Sequence, residues 1–243
     1  MCSTSVTKQL NIRSQFRPGK DVSRVGLFGG TFDPVHLGHL HVAEQVKDAF
    51  GIGEIIVVPS AIPPHKTLKE VTNARDRLNM VRMCFEHKQG FRISDVELKR
   101  NGPSYTIDTL RYFLSRSGSP GELMMVIGTD AFFEIHTWRA FGGILEQVPL
   151  IVIMRPGKES PEEGLPVEKT ERYLCEKVSK GYSWYEDKGC FKHHFKKPIY
   201  LFQGTPWNIS STEIRNRVKN GKSVSSMVPK DVYDYIKQKG LYA

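Results

Sequence analysis

Short apolar runs alternate with amphipathic helical segments along most of this 243-residue chain. Strands are predicted where the apolar runs end in turn-forming residues, at residues 24–30, 54–60, 91–98, 122–128, 149–155 and 197–203. Helices are predicted within residues 36–51, 73–87, 104–116, 209–221 and 228–242. Strands that alternate with helices form a parallel sheet covered on both faces. The predicted fold class is therefore α/β: a Rossmann-like, doubly wound, mainly parallel sheet with helices on both faces and further helices at the C-terminal end.

The two C-terminal helices carry clear end signals. Ser210 precedes Glu213 by three residues, which is the spacing of a capping box at a helix start. Pro229 lies near the first turn of the last helix, and Gly240 follows its final turn. The stretch 158–197 is less regular because it mixes basic and acidic residues, and one solvent-facing helix is predicted in its first half.

The formal net charge of +9 favours anionic partners such as phosphorylated small molecules, nucleic acids or acidic lipids. No apolar run reaches the roughly 18 to 20 residues of a membrane span, so no membrane partner is predicted. Nucleic acid is not predicted either, because no RNA- or DNA-binding motif accompanies the charge. The four cysteines are scattered without a CxxC pair, which indicates reduced thiols and a cytoplasmic location.

Residues 1–23 form a basic segment that is predicted to be a disordered tail. The segment holds one acidic residue, Asp21, and lacks the apolar stretch of a secretory signal. A transit peptide is the open alternative, because serine and arginine are present and acidic residues are scarce.

The stretch GGTFDPVHLGH, residues 29–39, holds the clearest chemical signal in the chain. Gly29 and Gly30 follow the first strand, so the backbone can approach a ligand closely there. A helix that begins near Val35 points its positive end at the same place, as in phosphate sites. His36 and His39 share one face of the first helical turn, where two imidazoles can donate hydrogen bonds to phosphate oxygens.

Each of these features also has an ordinary structural interpretation. A glycine pair after a strand is often only a turn, and a single histidine near a helix start is usually structural or exposed. The spacing of the histidines is not that of HExxH, and the phosphate-binding patterns GxxxxGK[ST] and GxGxxG are both absent. It is the combination within eleven residues that predicts a nucleotide or phosphate site with cationic help.

Two motifs, in the expected order, resemble the nucleotidyltransferase superfamily that carries an HxGH signature: His36-Leu37-Gly38-His39 and ISSTEIR at 209–215. Further segments look like the bacterial nicotinate-nucleotide adenylyltransferases: PPHK (63–66), ELKRNGPSYTIDTL (97–110), IGTDAF (127–132), HTWRAF (136–141), TPWNISST (205–212) and VPKDVYDYIKQKGLY (228–242). The resemblance spans residues 24–243 and implies a single nucleotidyltransferase domain that excludes the basic tail.

Members of that family transfer AMP from ATP to nicotinate mononucleotide, which yields nicotinate adenine dinucleotide and pyrophosphate on the route to NAD. The resemblance implies in-line attack of the mononucleotide phosphate on the α-phosphorus of ATP, without a covalent enzyme intermediate. The protein would supply positioning and charge stabilisation. Mg²⁺ is the implied cofactor, bound mainly through the ATP phosphates, and no protein metal ligands are predicted because the sequence lacks a dense carboxylate cluster.

The resemblance also implies which residues contact ATP. His36 and His39 are expected to stabilise the α-phosphate and the leaving pyrophosphate, and Arg215 offers a forked cation to the β- and γ-phosphates. The other expected ATP contacts are Gly29, Gly30, Thr31, Ser210, Thr212 and Lys66. For Lys66, a solvated loop lysine is the open alternative.

The resemblance implies five residues that contact the mononucleotide. Backbone N–H groups at Tyr105 and Arg139 are expected to meet the nicotinate carboxylate, and Trp138 is expected to stack on the pyridine ring. Thr106 is expected at the mononucleotide phosphate, and Asp130 at the ribose or a neighbouring loop. Core packing is the open alternative for Tyr105 and Trp138.

Three positions depart from the family pattern. Arg139 stands where tyrosine is frequent, and its positive charge would favour nicotinate over nicotinamide. Thr129 stands where glutamine is common and Ser60 where asparagine is frequent. Because both lie near the expected mononucleotide site, they leave the substrate preference open.

Other functions stay open beside adenylyl transfer to nicotinate mononucleotide. Nicotinamide mononucleotide is the alternative substrate, and a non-catalytic nucleotide-sensing regulator is the alternative role. The joint presence of His36, His39 and Arg215 argues against a regulator, because binding alone does not need all three. Cytidylyl and pantetheine-phosphate transfer fit the Ser-Tyr-Thr and Thr-Trp segments poorly. The sequence is also compatible with a homo-oligomer.

A Cys₂His₂ zinc site is one further hypothesis for the irregular stretch. Its ligands would be Cys175, Cys190, His193 and His194. Their spacing matches no known zinc ribbon or finger, so no zinc is predicted.

Overall fold

The computed structural model describes residues 24–61, 71–100, 102–116, 122–154, 166–205 and 207–243. The predicted tail at 1–23 and the expected ATP contact Lys66 lie outside the described residues. The described strands are β1 (Arg24–Gly30), β2 (Ile52–Pro59), β3 (Phe91–Ile93), β4 (Glu122–Gly128), β5 (Leu150–Met154), β6 (Ser183–Tyr185), β7 (Cys190–Lys192) and β8 (Ile199–Gln203). The described α-helices are α1 (Leu37–Ala49), α2 (Ala74–Phe85), α3 (Thr106–Leu114), α4 (Thr129–Phe132), α5 (Phe141–Gln147), α6 (Pro166–Tyr173), α7 (Ser211–Lys219) and α8 (Lys230–Lys239).

These strands form one sheet in the order β3-β2-β1-β4-β5-β8-β7-β6. The pairs from β3 to β8 are all parallel, which confirms the predicted α/β class. The chain first adds β2 and β3 on one side of β1 and then adds β4 on the other side. The strand order therefore reverses beside β1, and ligands of such sheets bind at the carboxyl ends of the strands near this switch point.

Successive side chains of the parallel strands enter two separate cores. Phe28 and Val57 belong to a core that includes residues of α1, α2, α7 and α8, whereas their neighbours Leu27 and Val58 belong to a core with residues of α3 and α5. Because both faces of these strands are buried, they appear in the sequence as continuous apolar runs rather than alternating ones. Helices on both faces confirm the doubly wound arrangement.

The third strand is shorter than the sequence predicts. The expected strand at 91–98 is regular only over Phe91–Ile93, and the chain then turns. Ser94 Oγ accepts the backbone N–H of Val96 at 3.4 Å, and Lys99 pairs with Asp95 at 2.8 Å. These local side-chain contacts compete with the strand ladder and end it early.

The sequence-based interpretation also missed a hairpin in the irregular stretch. The predicted solvent-facing helix forms as α6, followed by one π-helical turn at Leu174–Val178. The short strands β6 and β7 then pair in antiparallel fashion, and β7 pairs with β8. Strands of three residues are too short to show a period in the sequence. No described helix is long and apolar enough to cross a membrane.

Candidate functional site

The carboxyl end of β1 forms the floor of the candidate site at the switch point. Gly30 accepts a hydrogen bond from the backbone N–H of Ser60 at 2.9 Å, which holds the ends of β1 and β2 side by side. Gly29 is exposed, and a Cβ added to it would meet no atom within 4 Å. A Cβ on Gly30 would instead lie 3.0 Å from the ring of Phe32. The backbone at Gly29 is therefore open to a ligand, whereas Gly30 makes room for the ring that follows it.

The chain turns sharply between β1 and α1. Phe32 has a φ of 49°, in the left-handed region that residues with a Cβ rarely adopt. Its buried ring packs edge-on against Phe28 and His39, with centroid distances of 5.5 and 5.1 Å. Strained backbone of this kind persists only where surrounding contacts hold it, and it is concentrated at functional sites.

His36 and His39 form a reciprocal pair at the start of α1. His36 is the N-cap residue: its Nδ1 accepts the backbone N–H of His39, and Nδ1 of His39 accepts the backbone N–H of His36, both at 3.3 Å. The two rings stack with centroids 3.7 Å apart. Because Nδ1 accepts on both rings, each neutral imidazole carries its proton on Nε2. An Nε2–H group is a donor that phosphate oxygens accept, and both rings lie at the positive end of α1.

A buried arginine in α2 links the loops around this pair. Arg77 is 1 % exposed, and its Nη1 donates to the backbone oxygen of Thr31 at 2.6 Å. Its Nη2 and Nε donate to the backbone oxygens of Ala61 and Thr72, each at 2.9 Å. Burial lowers the pKa of Arg77 from its usual value, and the charge of Asp33 opposes that shift. One guanidinium therefore fixes the loop after β1, the loop after β2 and the turn before α2.

The N-terminus of α7 lies against the loop between β1 and α1. Ser210 caps α7, because its Oγ accepts the backbone N–H of Glu213 at 3.1 Å. The Glu213 carboxylate instead accepts a hydrogen bond from Arg217 at 3.0 Å. Ser211 Oγ donates to the backbone oxygen of Pro34 at 2.9 Å and so joins α7 to the loop before α1.

Arg215 makes the second link between α7 and the loop at residues 31–36, which joins β1 to α1 and is called the histidine loop. Its Nη1 donates to the backbone oxygen of Asp33 at 2.7 Å, and its Nη2 donates to Thr212 Oγ1 at 3.3 Å. The structure thus brings two expected ATP contacts, Arg215 and Thr212, next to the loop that carries the histidine pair. The N-termini of α1 and α7 both lie at this loop, an arrangement that favours bound anions.

Asp33 is a further residue of this site, and the motif reading assigned it no role. It is 5 % exposed, and its carboxylate accepts the Tyr242 hydroxyl at 2.7 Å and the backbone N–H of Thr72 at 3.2 Å. Asp33 lies between the glycine pair and the first histidine, and this position is the one sequence signal that could have predicted its place in the site. Tyr242 is the last residue of the family-like segment 228–242, whereas Arg77 lies in none of the segments that carry the resemblance.

Tyr105 and Arg139 meet on the other face of the sheet. The Arg139 guanidinium lies 4.7 Å from the centroid of the Tyr105 ring, a cation–π contact. Tyr105 is the N-cap residue of α3, and Arg139 precedes Ala140, whose φ of 51° is left-handed. Tyr105 and Trp138 are half-buried and pack against the core on this face. Both therefore contribute to packing while part of each side chain stays accessible.

The remaining expected mononucleotide contacts lie at the starts of two helices. Thr106 begins α3 and is half-buried, and Asp130 is exposed in the first turn of α4, directly after β4. Thr129 Oγ1 donates to the backbone oxygen of Ile153 at 2.6 Å and so joins the ends of β4 and β5. Ser60 Oγ is buried and has no hydrogen-bond partner among the described residues.

A buried polar network supports the start of α3. Glu97 accepts the Thr109 hydroxyl at 2.8 Å, and Arg100 donates to the same hydroxyl at 2.8 Å. Ser104 Oγ accepts the backbone N–H of Ala61 at 3.1 Å, which joins the end of β2 to the segment before α3. Burial raises the pKa of Glu97 above its usual value, although hydrogen bonds from Thr109 and Ser104 oppose the shift.

The four candidate zinc ligands do not assemble. Both ring nitrogens of His193 are engaged, Nε2 with Ser179 Oγ and Nδ1 with the backbone N–H of Phe195, each at 3.0 Å. Cys190 is buried in β7, where burial raises its pKa to about 11, and Cys175 is exposed. No group of three or more His, Cys, Asp or Glu suited to a metal ion occurs in the described part of the chain.

The chain is similar to a known protein family and to named relatives. The model of the cytidylyltransferase-like family matches residues 27–217. A protein of Desulfatibacillum aliphaticivorans named "Probable nicotinate-nucleotide adenylyltransferase" is 40 % identical over 220 residues, which cover 90 % of this chain and 99 % of that protein. A protein of the same name from Geotalea uraniireducens is 34 % identical over 221 residues, covering 90 % and 98 %.

A solved structure supports the same fold. The nicotinic acid mononucleotide adenylyltransferase of Plasmodium falciparum, solved in complex with NaAD, aligns with a TM-score of 0.65 over 90 % of this chain and 97 % of its own. At 19 % sequence identity this likeness concerns the fold alone.

Proposed function

The chain belongs to the nicotinate-nucleotide adenylyltransferases of the cytidylyltransferase-like family, and we propose that it transfers the adenylyl group of ATP to nicotinate mononucleotide. The products are nicotinate adenine dinucleotide and pyrophosphate, so the reaction is a step of NAD biosynthesis. One observation carries the proposal for this chain's own residues: the stacked His36–His39 pair lies at the start of α1, directly after the loop whose Asp33 backbone oxygen binds Arg215 of α7.

The histidine pair and α7 act on the triphosphate. An oxygen of the mononucleotide phosphate forms a bond to the α-phosphorus of ATP, and the bond from that phosphorus to the oxygen of the leaving pyrophosphate breaks. Nε2–H groups of His36 and His39 donate to the phosphate oxygens on which negative charge develops. Arg215 supplies a cation for the leaving group, and the capped N-terminus of α7 adds backbone N–H groups beside it.

Magnesium enters this proposal as part of the substrate, on the phosphates of ATP. Asp33, the carboxylate of the histidine loop, is already engaged by Tyr242 and Thr72, which favours coordination by the nucleotide over coordination by this loop. The ion partly neutralises the charge of the triphosphate. Removal of Mg²⁺ with EDTA is expected to stop pyrophosphate release, and addition of excess Mg²⁺ is expected to restore it.

Tyr105, Trp138 and Arg139 form the proposed pyridine pocket. Trp138 packs half-buried against the core and leaves part of its ring system for stacking. The guanidinium of Arg139 over Tyr105 adds a positive charge beside the expected carboxylate position. A nicotinate ring carries that carboxylate and a nicotinamide ring does not, so the charge favours nicotinate mononucleotide.

The test is pyrophosphate release by the purified chain with ATP and Mg²⁺, with nicotinate and nicotinamide mononucleotides compared side by side. We expect release with the nicotinate form and much weaker release with the nicotinamide form. Equal rates would keep adenylyl transfer but contradict the proposed role of Arg139. Absence of release with both would contradict the catalytic proposal and favour a nucleotide-sensing regulator.

A cytoplasmic location and the oligomeric state stay predictions from the sequence. The cysteines among the described residues, Cys84, Cys175 and Cys190, are free thiols, as expected for a reducing compartment.

A further inference from the structure

A hydrogen bond joins the end of the described chain to the loop of the histidine pair. The hydroxyl of Tyr242 donates to Asp33 Oδ1 at 2.7 Å. Asp33 lies three residues before His36, and Tyr242 follows α8, so the bond connects segments 209 residues apart. Burial raises the pKa of Tyr242 far above its usual value. The hydroxyl therefore keeps its proton and remains a donor.

Besides Tyr242, two further segments meet the histidine loop at Asp33. Its second carboxylate oxygen accepts the backbone N–H of Thr72, before α2. Its backbone oxygen accepts Arg215 Nη1 of α7 at 2.7 Å. A shift of Asp33 would thus move both the loop that leads to the histidines and the acceptor that orients the Arg215 guanidinium.

The backbone turns sharply after α8, and this turn places Tyr242 beside Asp33. Gly240 ends α8 in the left-handed conformation, with a φ of 60°, and the N–H of Leu241 bonds back to the oxygen of Ile236 at 3.0 Å. Tyr242 itself has a φ of 67°, which is costly for a residue with a Cβ. A strained tyrosine whose hydroxyl binds a buried carboxylate indicates that Tyr242 is held in one position.

We propose that Tyr242 is a positioning residue for adenylyl transfer, which acts through Asp33 to hold the histidine loop and Arg215 in the geometry that the reaction needs. This inference rests on the proposed function. Tyr242 touches no substrate group in this proposal, and its effect on the rate arises from the placement of His36 and Arg215.

Tyr235 provides a control within α8, the helix that Tyr242 follows. Its hydroxyl also donates to a carboxylate at 2.7 Å, that of Asp76, and it is also half-buried. The bond of Tyr235 joins α8 to α2 and does not involve Asp33. Tyr235→Phe and Tyr242→Phe each remove one hydroxyl and its hydrogen bond to a carboxylate. Tyr235→Phe also removes the hydrogen bond that Asn79 donates to this hydroxyl at 3.1 Å, so a larger loss of rate in Tyr242→Phe reports the position of Tyr242 and not the number of hydrogen bonds lost.

The experiment compares the full chain with Tyr242→Phe and Tyr235→Phe in steady-state kinetics and in hydrogen exchange of peptides from residues 29–40. For Tyr242→Phe we expect kcat to fall by about tenfold to a hundredfold, because small misplacement of catalytic groups costs that much. The KM for ATP should change far less, and amides of the histidine loop should exchange faster. For Tyr235→Phe both kcat and the exchange of this loop should match the parent chain.

Equal behaviour of the two variants, in kcat and in exchange, would overturn the proposal. A loss of kcat in Tyr242→Phe without faster exchange of residues 29–40 would overturn it as well. A different result would contradict the proposed function itself: the parent chain would release no pyrophosphate. The exchange comparison would then still decide whether Tyr242 holds the histidine loop.

Discussion

The two halves of the candidate site are built in different ways. On the phosphate side, three groups are buried and held by hydrogen bonds, since His36 is 4 % exposed, Asp33 5 % and Arg77 1 %. His39 and Arg215 are half-buried, and hydrogen bonds hold them as well. On the pyridine side, Tyr105 and Trp138 are half-buried, Arg139 is exposed, and a cation–π contact joins Arg139 to Tyr105. The first half is preorganised by backbone hydrogen bonds and buried charge, whereas the second consists of side chains that are half-buried or exposed.

This structural difference corresponds to two functions, stabilisation of developing charge and recognition of the pyridine ring. Groups that stabilise developing charge must already point at it, because reorientation during the reaction would cost what the interaction gains. Groups that recognise a ring can adjust when it arrives, since stacking tolerates small shifts. We therefore expect substitutions on the phosphate side to reduce kcat, and those on the pyridine side to change KM and substrate preference.

The largest effect is expected for His39→Ala. Loss of one donor to developing phosphate charge should lower kcat by about a hundredfold to a thousandfold. The melting temperature should fall modestly, because His39 also accepts the backbone N–H of His36 in the cap of α1. Pyrophosphate release measures the first quantity and thermal unfolding the second. His41→Ala is the control, because His41 lies in the same helix and contacts Trp207, at a ring distance of 4.5 Å, rather than His36. A near-normal rate for His39→Ala would remove His39 from the mechanism.

Trp138→Ala should have the next largest effect, on binding. Loss of stacking should raise the KM for the mononucleotide by roughly tenfold to a hundredfold, since stacking on a base is worth about 1–3 kcal/mol. The KM for ATP should stay nearly constant. Trp184→Ala removes another half-buried tryptophan, from β6, and should leave both KM values unchanged. Equal rises for ATP and the mononucleotide would instead indicate general damage to the fold.

Arg139→Gln should cause a smaller change in substrate preference. An exposed charge pair contributes about 0.2–1 kcal/mol, so the preference for nicotinate over nicotinamide mononucleotide should fall by roughly 1.4-fold to fivefold. The fall should shrink at high salt, because exposed charges are screened. Arg116→Gln is the control, since Arg116 is also exposed and lies 4.0 Å from the ring of Tyr112, away from the site. An unchanged preference would contradict charge selection by Arg139.

The smallest expected effect is on the pH dependence of stability, and it involves Glu97, which lies behind the pyridine side of the site. Its pKa is raised by burial, so the folded state binds the Glu97 proton more tightly than the unfolded state does. Stability from this group is present at low pH and is lost as the pH rises through the folded pKa. The melting temperature of the parent chain should therefore fall more between acidic and neutral pH than that of Glu97→Gln. Glu54→Gln, at an exposed ion pair with Arg92, should show the parent's pH dependence.

The fold and the phosphate motif could be predicted from contiguous residues. Apolar runs such as 122–128 and helix signals such as Ser210 and Gly240 are local, and the structure contains the corresponding elements. The β6–β7 hairpin could not be predicted, because strands of three residues are stabilised by their neighbours in the sheet rather than by their own pattern. The early end of β3 was missed for a similar reason, since polar contacts of the following turn compete with the strand.

The sequence by itself determined the α/β class, the placement of the glycine pair after a strand, and the two histidines on one turn of α1. These follow from periodicity and spacing, which are properties of neighbouring residues. Only the tertiary structure decided that Arg77 joins three loops, that Arg215 and Tyr242 converge on Asp33, and that Arg139 lies over Tyr105. Each of these contacts joins segments distant in the chain, so it exists only once the sheet and its two helical layers have brought those segments together.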